Sequence, residues 1–581
     1  MRVLFIWTDV ETRIESGVIH IGVAYLSAAL KRAGHETSLV RVLHKIEKNE
    51  LRHCISDFNP GLVAFSVMTN QFDYCVKLAG WIKEEFDLPI LFGGSHPTLA
   101  PEATIARKSV DMICRGEGEE ALVELVNRLE SRGDYSNIPN LWVKKNGETV
   151  KNDIRPLSGD IDALPFMDID VYDLENMFKE GGINLHIMAG RGCPYQCTYC
   201  CNPAVNRLYQ GRGNVVRNRT VGRVLDEIRH HLKNHPRIDY FTFQDETFSL
   251  NKKWMLEFCA AYREEIGVPF SVMVRVNNLD EEMLQALKDA GCDLLRIGVE
   301  SGSEWLRENV LKRKMTNEQI VSVFDTADRI GIRTWAFAMF GLPHETPEMV
   351  EETIALLRRL NPNHVQLSIF YPYPGTELYD ECEREGWLTR EKSFSYFEKP
   401  ILNLPTITNE QIIHYFNSFR QELIEMGAKK EGQGFYDFIS HFDEAQIKTD
   451  DDEYVKLTTF FEEYPGRFWL QAHPFSEISY EVELPPRCRL VFDIAMHPGI
   501  YDRPGKGVRF EVECNGKKVF SRYLDPKNKE KDRGWFRSDL PLKSAGKSRL
   551  TFRTKPAPRS NNYYCNAGWG RPHIVCENEK E

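Results

Sequence analysis

The sequence predicts an α/β chain in three folded parts: an N-terminal Rossmann-like domain, a central partial (β/α) barrel and a C-terminal all-β sandwich. Three observations carry this reading. Apolar strand-like runs alternate with amphipathic helical ones from residue 1 to about 125, and the alternation resumes at His186 and continues to about Pro374. Beyond Asp450-Asp451-Asp452-Glu453 the apolar residues change to a period of two, broken by hairpin turns. A chain of 581 residues exceeds one hydrophobic core, and about 150 residues per domain gives three or four domains. The expected limits are 1–140 for the first domain, 141–185 for a linker, 186–385 for the barrel, 386–445 for a helical extension and 446–581 for a jelly-roll-like accessory sandwich.

With 42% hydrophobic and 27% charged residues the composition is that of a soluble globular protein. A net charge of -11 argues against nucleic acid as the main partner, because phosphate binding needs a basic surface. The fourteen cysteines include a dispersed set (Cys54, Cys75, Cys114, Cys259, Cys292, Cys382) in helical and strand patterns, which reads as small buried hydrophobes rather than a disulfide framework. The first apolar run, 3–7, is too short for a signal segment or a membrane span, so the expectation is a cytoplasmic, reducing location with no transmembrane segment.

In the first domain strands are expected at 3–7, 37–42, 62–67, 89–92 and 112–113, and helices at 21–33, 50–58, 72–86 and 119–129. Such spacing calls for a parallel sheet covered on both faces, with ligands beyond the carboxyl ends of its strands. The loops there are Ser66-Val67-Met68-Thr69, Gly93-Gly94-Ser95-His96-Pro97-Thr98 and Arg115-Gly116-Glu117-Gly118-Glu119. Paired glycines allow backbone to approach a large ligand, although each loop alone also reads as a tight turn. Lys145-Asn146-Gly147-Glu148 marks a hairpin, and Pro156 and Pro165 an extended connection.

The barrel opens with a strand over 186–189 and the loop Arg191-Gly192-Cys193-Pro194-Tyr195-Gln196-Cys197-Thr198-Tyr199-Cys200. Three thiolates in a C-x3-C-x2-C frame converge on one point and suit soft metal or an iron-sulfur cluster. If three ligands serve a four-iron cluster, one iron keeps an open position for a small molecule. A zinc knuckle with Cys201 or a distant fourth ligand is the competing reading, but no second ligand pair follows at useful spacing. Adjacent side chains diverge, so Cys201 is not expected on the same cluster. Further strands end in Gln244-Asp245-Glu246, Arg275, Glu300-Ser301, Gly341-Leu342-Pro343-His344-Glu345-Thr346 and Tyr371-Pro372-Tyr373-Pro374, and barrel chemistry sits at such ends. A helix over 411–426 carries an apolar face (Ile412, Ile413, Phe416, Phe419, Leu423) expected to cover the barrel. In the sandwich, Leu490, Phe492 and Ile494, then Val508, Phe510 and Val512, then Asn515-Gly516, mark strands and a hairpin. Trp535, Tyr563, Tyr564 and Trp569 serve either as core filler or as a glycan-binding face.

The cysteine frame with Tyr199 before its third cysteine resembles the signature of the radical S-adenosylmethionine (SAM) enzymes. The first-domain loops, with Gly-Gly-x-His-Pro-Thr and then Gly-Glu-Gly-Glu, look like the cobalamin-binding domain found in front of many of them. Residues 1 to about 425 thus resemble the cobalamin-dependent class, with class B methyltransferases among its members. The resemblance implies a 4Fe-4S cluster on Cys193, Cys197 and Cys200, with no catalytic residue beyond these ligands. It implies SAM near Tyr199 (adenine), Asp245 and Glu246 (methionyl amine), Arg275, Glu300 and Ser301 (ribose and carboxylate) and Gly341. It implies cobalamin near Ser66, Met68, Thr69, Gly93, Gly94, His96, Gly116 and Glu117. The chain departs from other cobalamin proteins in having no D-x-H-x-x-G, so His96 is expected near the corrin without ligating cobalt, and a corrin-free Rossmann scaffold stays open as the other reading. The activity implied is methylation of an unactivated carbon or phosphorus centre under anaerobic conditions. The substrate would be a small, glycosylated or lipid-like molecule, and the electrons would come from a flavodoxin- or ferredoxin-type donor. The alternatives are a non-methylating cyclisation, ring rearrangement or carbon-carbon coupling with the same cofactors, and, from another class, a zinc-stabilised glycan-binding protein.

Overall fold

The computed structural model describes residues 1–10, 18–178, 182–389, 393–430, 436–450, 454–460, 467–501, 507–556 and 566–576. They fall into two compact units, Met1–Leu360 with Gln366–Phe416, and Asn361–Val365 with Asn417–Glu581.

The first unit begins with β1 (Arg2–Thr8), which pairs on its edges with β2 (Glu36–Val42) and β3 (Leu62–Ser66) and is buried on both faces by the helices packed on the sheet. β4 (Ile90–Gly93) and β5 (Met112–Cys114) continue the parallel sheet, and β6 (Leu141–Lys145) and β7 (Glu148–Lys151) close it antiparallel in the order β2-β1-β3-β4-β5-β6-β7. Successive β1 side chains enter opposite cores. Val3 and Phe5 pack with Val23 and Leu30 of α1 (Ile21–Arg32), whereas Leu4 and Ile6 pack with Leu51 and Ile55 of α2 (Lys48–Phe58) and Leu78 of α3 (Phe72–Glu85). The turn joining β6 to β7 holds Asn146 at φ 53° and Gly147 at φ 85°, the left-handed pair that a two-residue hairpin requires. Leu141 and Val143 of this hairpin join the core shared with α1, so the sheet extends past the expected limit at residue 140.

The short helices α4 (Ser95–Leu99) and α5 (Pro101–Ile105) and the longer α6 (Glu119–Glu130) complete this domain, and α7 (Leu174–Met177) lies in the connection. A second sheet follows, six strands in the order β15-β14-β13-β12-β11-β8. These are β8 (Ile183–Ile187), β11 (Ile238–Phe243), β12 (Phe270–Val274), β13 (Cys292–Glu300), β14 (Arg333–Phe340) and β15 (His364–Ile369). It is an open half-barrel rather than a closed one. The two-residue strands β9 (Gly190–Arg191) and β10 (Arg217–Asn218) pair with each other and bracket the cysteine loop and α8 (Asn202–Leu208). The helices α9 (Val221–Asn234), α10 (Lys252–Glu265), α11 (Glu281–Asp289), α12 (Asn317–Ile330) and α13 (Pro347–Leu360) connect the strands, and α14 (Glu377–Arg384) and α15 (Asn409–Lys430) follow them. Ile412 at the start of α15 lies against Gly341, at the end of β14.

Beyond the part of α15 that it includes, the second unit is built of two β-sheets. One sheet runs β17-β20-β25-β22-β23 and the other β18-β19-β26-β21-β24, with β16 paired to β26. In chain order these are β16 (Tyr436–Asp437), β17 (Gln446–Lys448), β18 (Val455–Phe460), β19 (Arg467–Ala472), β20 (Ser476–Leu484), β21 (Cys488–Met496), β22 (Val508–Cys514), β23 (Lys517–Leu524), β24 (Phe536–Leu542), β25 (Gly546–Pro556) and β26 (Ala567–Cys576). Side chains from both sheets share one core, with Tyr480, Phe510 and Phe552 from one and Phe492 and Trp569 from the other. Trp569 is 0% exposed and is therefore core filler. Trp535 is half-buried and meets Trp469 edge-on at 6.0 Å. Tyr563 and Tyr564 lie outside the described residues, as do Asp451, Asp452 and Glu453. Among the described residues no helix is long and apolar enough to cross a membrane.

Candidate active site

The cysteine loop leaves β9 through Gly192, whose φ of 88° and close approach to the Val215 carbonyl exclude any side chain. Of the three thiols Cys197 is buried and Cys193 and Cys200 are partly exposed. Burial pushes the Cys193 thiol up, and the neighbouring Cys200 and Cys197 add to the rise. Two buried guanidiniums reach Cys197 Sγ, Arg275 Nη1 at 3.6 Å and Arg313 Nη1 at 4.0 Å. A neutral thiol gains little from two cations, so the donor set fits thiolates that ligate a metal cluster. Cys201, expected off the cluster, is the residue at which α8 opens, and its thiol is near enough to that of Cys200 to help push the Cys200 thiol up.

Of the residues expected around SAM, Asp245, Glu246, Tyr199, Arg275 and Glu300 lie in or against this loop and its lead-in, whereas Ser301 and Gly341 make their contacts away from it. Asp245 Oδ2 accepts the Ala189 N–H at 3.0 Å, and burial pushes its carboxyl up to about 7. Burial also raises Glu246, with the backbone at Gly192 pulling the other way. Both acids therefore meet the backbone that leads into the cysteines. Tyr199 faces Glu300 and Arg313: its hydroxyl accepts Arg313 Nη1 at 3.4 Å, and burial raises the Glu300 carboxyl while Arg313 and the Tyr199 phenol pull it down. Glu300 ends β13 at φ 68°, where the β13–β14 register shifts, and Gly298 makes room because a Cβ there would meet the Glu300 carboxylate and lie 2.7 Å from Arg313 Nη2. Arg275 also stacks over the Tyr195 ring at 3.8 Å. Ser301 is fully buried, and its hydroxyl is shared with Thr353 Oγ1 at 3.3 Å and the Ser303 N–H at 3.2 Å, which makes it a brace of the turn. Gly341 donates its N–H to Glu345 Oε2 at 2.6 Å, and burial pushes the Glu345 carboxyl up to about 8.

The residues expected around the corrin all stand at the carboxyl ends of β3, β4 and β5. Ser66 Oγ is 3.3 Å from His20 Nε2, and Met68 precedes the turn that begins at Thr69. Thr69 Oγ1 is 3.2 Å from Nδ1 of His96, whose buried ring lies against Phe72 at 4.0 Å. Gly93 ends β4, and Gly94 comes so near Val67 that a Cβ would lie 2.9 Å from its nitrogen. Gly116 donates to Thr98 Oγ1 at 3.0 Å, and its lack of a side chain admits the Tyr209 hydroxyl. That hydroxyl accepts the Glu117 N–H at 2.8 Å. The Glu117 carboxylate is engaged by Arg217 and by Arg191 Nη1 at 3.2 Å, and Arg191 Nη2 donates to Glu119 at 2.5 Å. The loop after β5 is thus fastened to the strands that hold the cysteines. Arg313, Arg191, Arg217 and Tyr209 carry no motif of their own. Only the position of Arg191, two residues before Cys193, could have drawn notice.

Two family descriptions match this architecture: the B12 binding domain over residues 8–126 and the Radical SAM superfamily over 187–357. An uncharacterized methyltransferase of Pyrococcus horikoshii is 29% identical, over 71% of this chain and 90% of its own. An anaerobic magnesium-protoporphyrin IX monomethyl ester cyclase of Rubrivivax gelatinosus is 26% identical, over 66% of this chain and 70% of its own. The fold is shared with TsrM of Kitasatospora setae, a radical SAM methyltransferase solved with tryptophan substrate and a SAM analog, at a TM-score of 0.56 and 19% identity over 67% of this chain and 78% of that one. The chain thus carries a radical SAM domain behind a B12-binding domain, the arrangement of the cobalamin-dependent radical SAM methyltransferases it resembles. Its cofactors are a 4Fe-4S cluster, SAM and cobalamin.

Proposed function

We propose that this enzyme methylates an unactivated carbon or phosphorus centre of a small, glycosylated or lipid-like substrate. When bound, the cluster with SAM supplies a 5'-deoxyadenosyl radical and the corrin supplies the methyl group. On this reading Cys193, Cys197 and Cys200 hold the cluster. Asp245, Glu246, Arg275, Glu300, Ser301 and Gly341, with Tyr199, form the SAM side, and the acids with the two arginines provide the mixed charge that an ammonium, a sulfonium and a carboxylate require. Ser66, Met68, Thr69, Gly93, Gly94, His96, Gly116 and Glu117 form the corrin side.

The observation that carries the proposal is the tie from Arg191 and Arg217 to Glu117 and Glu119, because radical formation and methyl delivery must occur in one water-excluding cavity. The hydroxyl pair of Tyr373 and Tyr396 at 2.8 Å stands on the loops beyond β15, where neutral phenols suit an uncharged part of the substrate. Enzymes of this superfamily need an electron donor, and we assign a flavodoxin- or ferredoxin-type protein of a reducing cytoplasm.

The test is product mass from the anaerobic holoenzyme with SAM carrying a deuterated methyl group. A product heavier by one labelled methyl supports methylation. An unlabelled product of cyclisation, ring rearrangement or carbon-carbon coupling would favour the second reading, which the relative named as a cyclase keeps in view.

A further inference from the structure

The three cysteine sulfurs receive unequal partners. Cys200 Sγ is met by the backbone N–H of Asn202 at 3.5 Å, a neutral donor, while the Thr247 hydroxyl on the Cys193 side donates to the Glu246 carbonyl at 2.6 Å. Cys197 is met by two guanidiniums. Each cation is fixed from behind. Arg275 Nε donates to Asn277 Oδ1 at 2.9 Å with its plane over Tyr195, and the Tyr195 hydroxyl is itself held by Asn278 at 2.5 Å. Arg313 Nη2 donates to the Gly298 carbonyl at 2.7 Å, with Glu300 at 3.9 Å as counter-charge. Guanidiniums cannot lose their protons, so two fixed charges stand beside one sulfur at every working pH.

We propose that Arg275 and Arg313 are positioning residues that tune the cluster through the Cys197 sulfur, raising its midpoint potential. Positive charge and N–H donors at a cluster sulfur favour the state with one more electron. This inference rests on Cys193, Cys197 and Cys200 being the ligands.

The test is an EPR-monitored redox titration of the anaerobically reconstituted full chain without SAM, so that contact with the SAM carboxylate plays no part. With iron and sulfide content equal to wild type, Arg275→Met and Arg313→Met are expected to shift the midpoint to more negative potential, and Arg313→Lys, which keeps charge but not the fork, to fall between. Unchanged midpoints, or shifts seen only when SAM is added, would overturn the proposal and give the arginines to SAM. Should a variant hold no cluster, wild-type protein labelled with nitrogen-15 arginine decides the matter. Electron-nuclear double resonance of the reduced cluster should show guanidinium nitrogen couplings, and their absence would overturn the proposal. A wild-type chain that takes up no cluster would undo the ligand assignment itself, a different result from a cluster without nitrogen coupling.

Discussion

Glu345 shows what a single residue contributes to this site. Its carboxyl is fully buried with Oε2 on the Gly341 and Leu342 N–H groups, and burial raises it from 4.5 to about 8. The unfolded chain releases this proton near 4.5, so the folded form binds more protons between the two values. The stabilisation is complete below 4.5 and is lost as pH rises to about 8, at a slope of at most about 1.4 kcal/mol per pH unit. Asp245 acts in the same sense up to about 7, whereas His20 and His186, lowered from 6.5 by burial, act oppositely below 6.5. The window from 6.5 to 8 therefore isolates the acids. Glu345→Gln keeps an oxygen for both N–H groups, and chemical denaturation of the apoprotein should show a flatter pH dependence than wild type across that window. At the cysteines, Cys201→Ala is expected to leave iron content unchanged, while alanine at Cys193, Cys197 or Cys200 removes the cluster. The cysteine frame was legible because its members are neighbours in sequence. Arg313 was not, because its partners Cys197 and Gly298 are brought to it by the half-barrel.

At the scale of elements, the loop after β5 and the strand β9 form one joint. Residues 72 apart in sequence, Glu119 and Arg191, make an ion pair that is largely buried on both sides. Removing one partner leaves the other charge desolvated, so Glu119→Ala should lower unfolding stability by about 2–3 kcal/mol, softened by the second contact of Arg191 with Glu117. Urea denaturation measures this, and cobalamin should be retained less well on gel filtration. From the sequence, Gly116 and Glu117 of this loop are expected near the corrin. The fold uses Glu117 and Glu119 as anchors for Arg191 and Arg217, which no local pattern could reveal. In the sandwich β22 and β23 were legible from alternation and from Asn515-Gly516, at φ 50° and 75°. β26 was hidden by Gly568, Gly570 and Pro572, which read as turn residues. In the sheet those glycines make room for the rings of Trp469 and Trp535. β24 was hidden by Pro541, tolerated because this strand is the edge of its sheet.

The whole molecule combines a scaffold legible from strand and helix alternation with a site assembled across domains. The sandwich has its own core, and Trp569 sits in it between Phe492, Phe510 and Phe552. Trp569→Ala should cost about 3–5 kcal/mol in the unfolding of that unit, a loss that a ring serving only a glycan would not produce. Thermal melting of wild type and variant compares the two. The account depends above all on the three cysteines supporting SAM cleavage beside a corrin. The most direct measurement is release of 5'-deoxyadenosine by the anaerobically reconstituted full chain with cobalamin, SAM and a strong reductant, run beside Cys197→Ala. The account predicts release by the wild type and background in the variant. Equal release from both, or none from a wild type that carries its cluster, would contradict it.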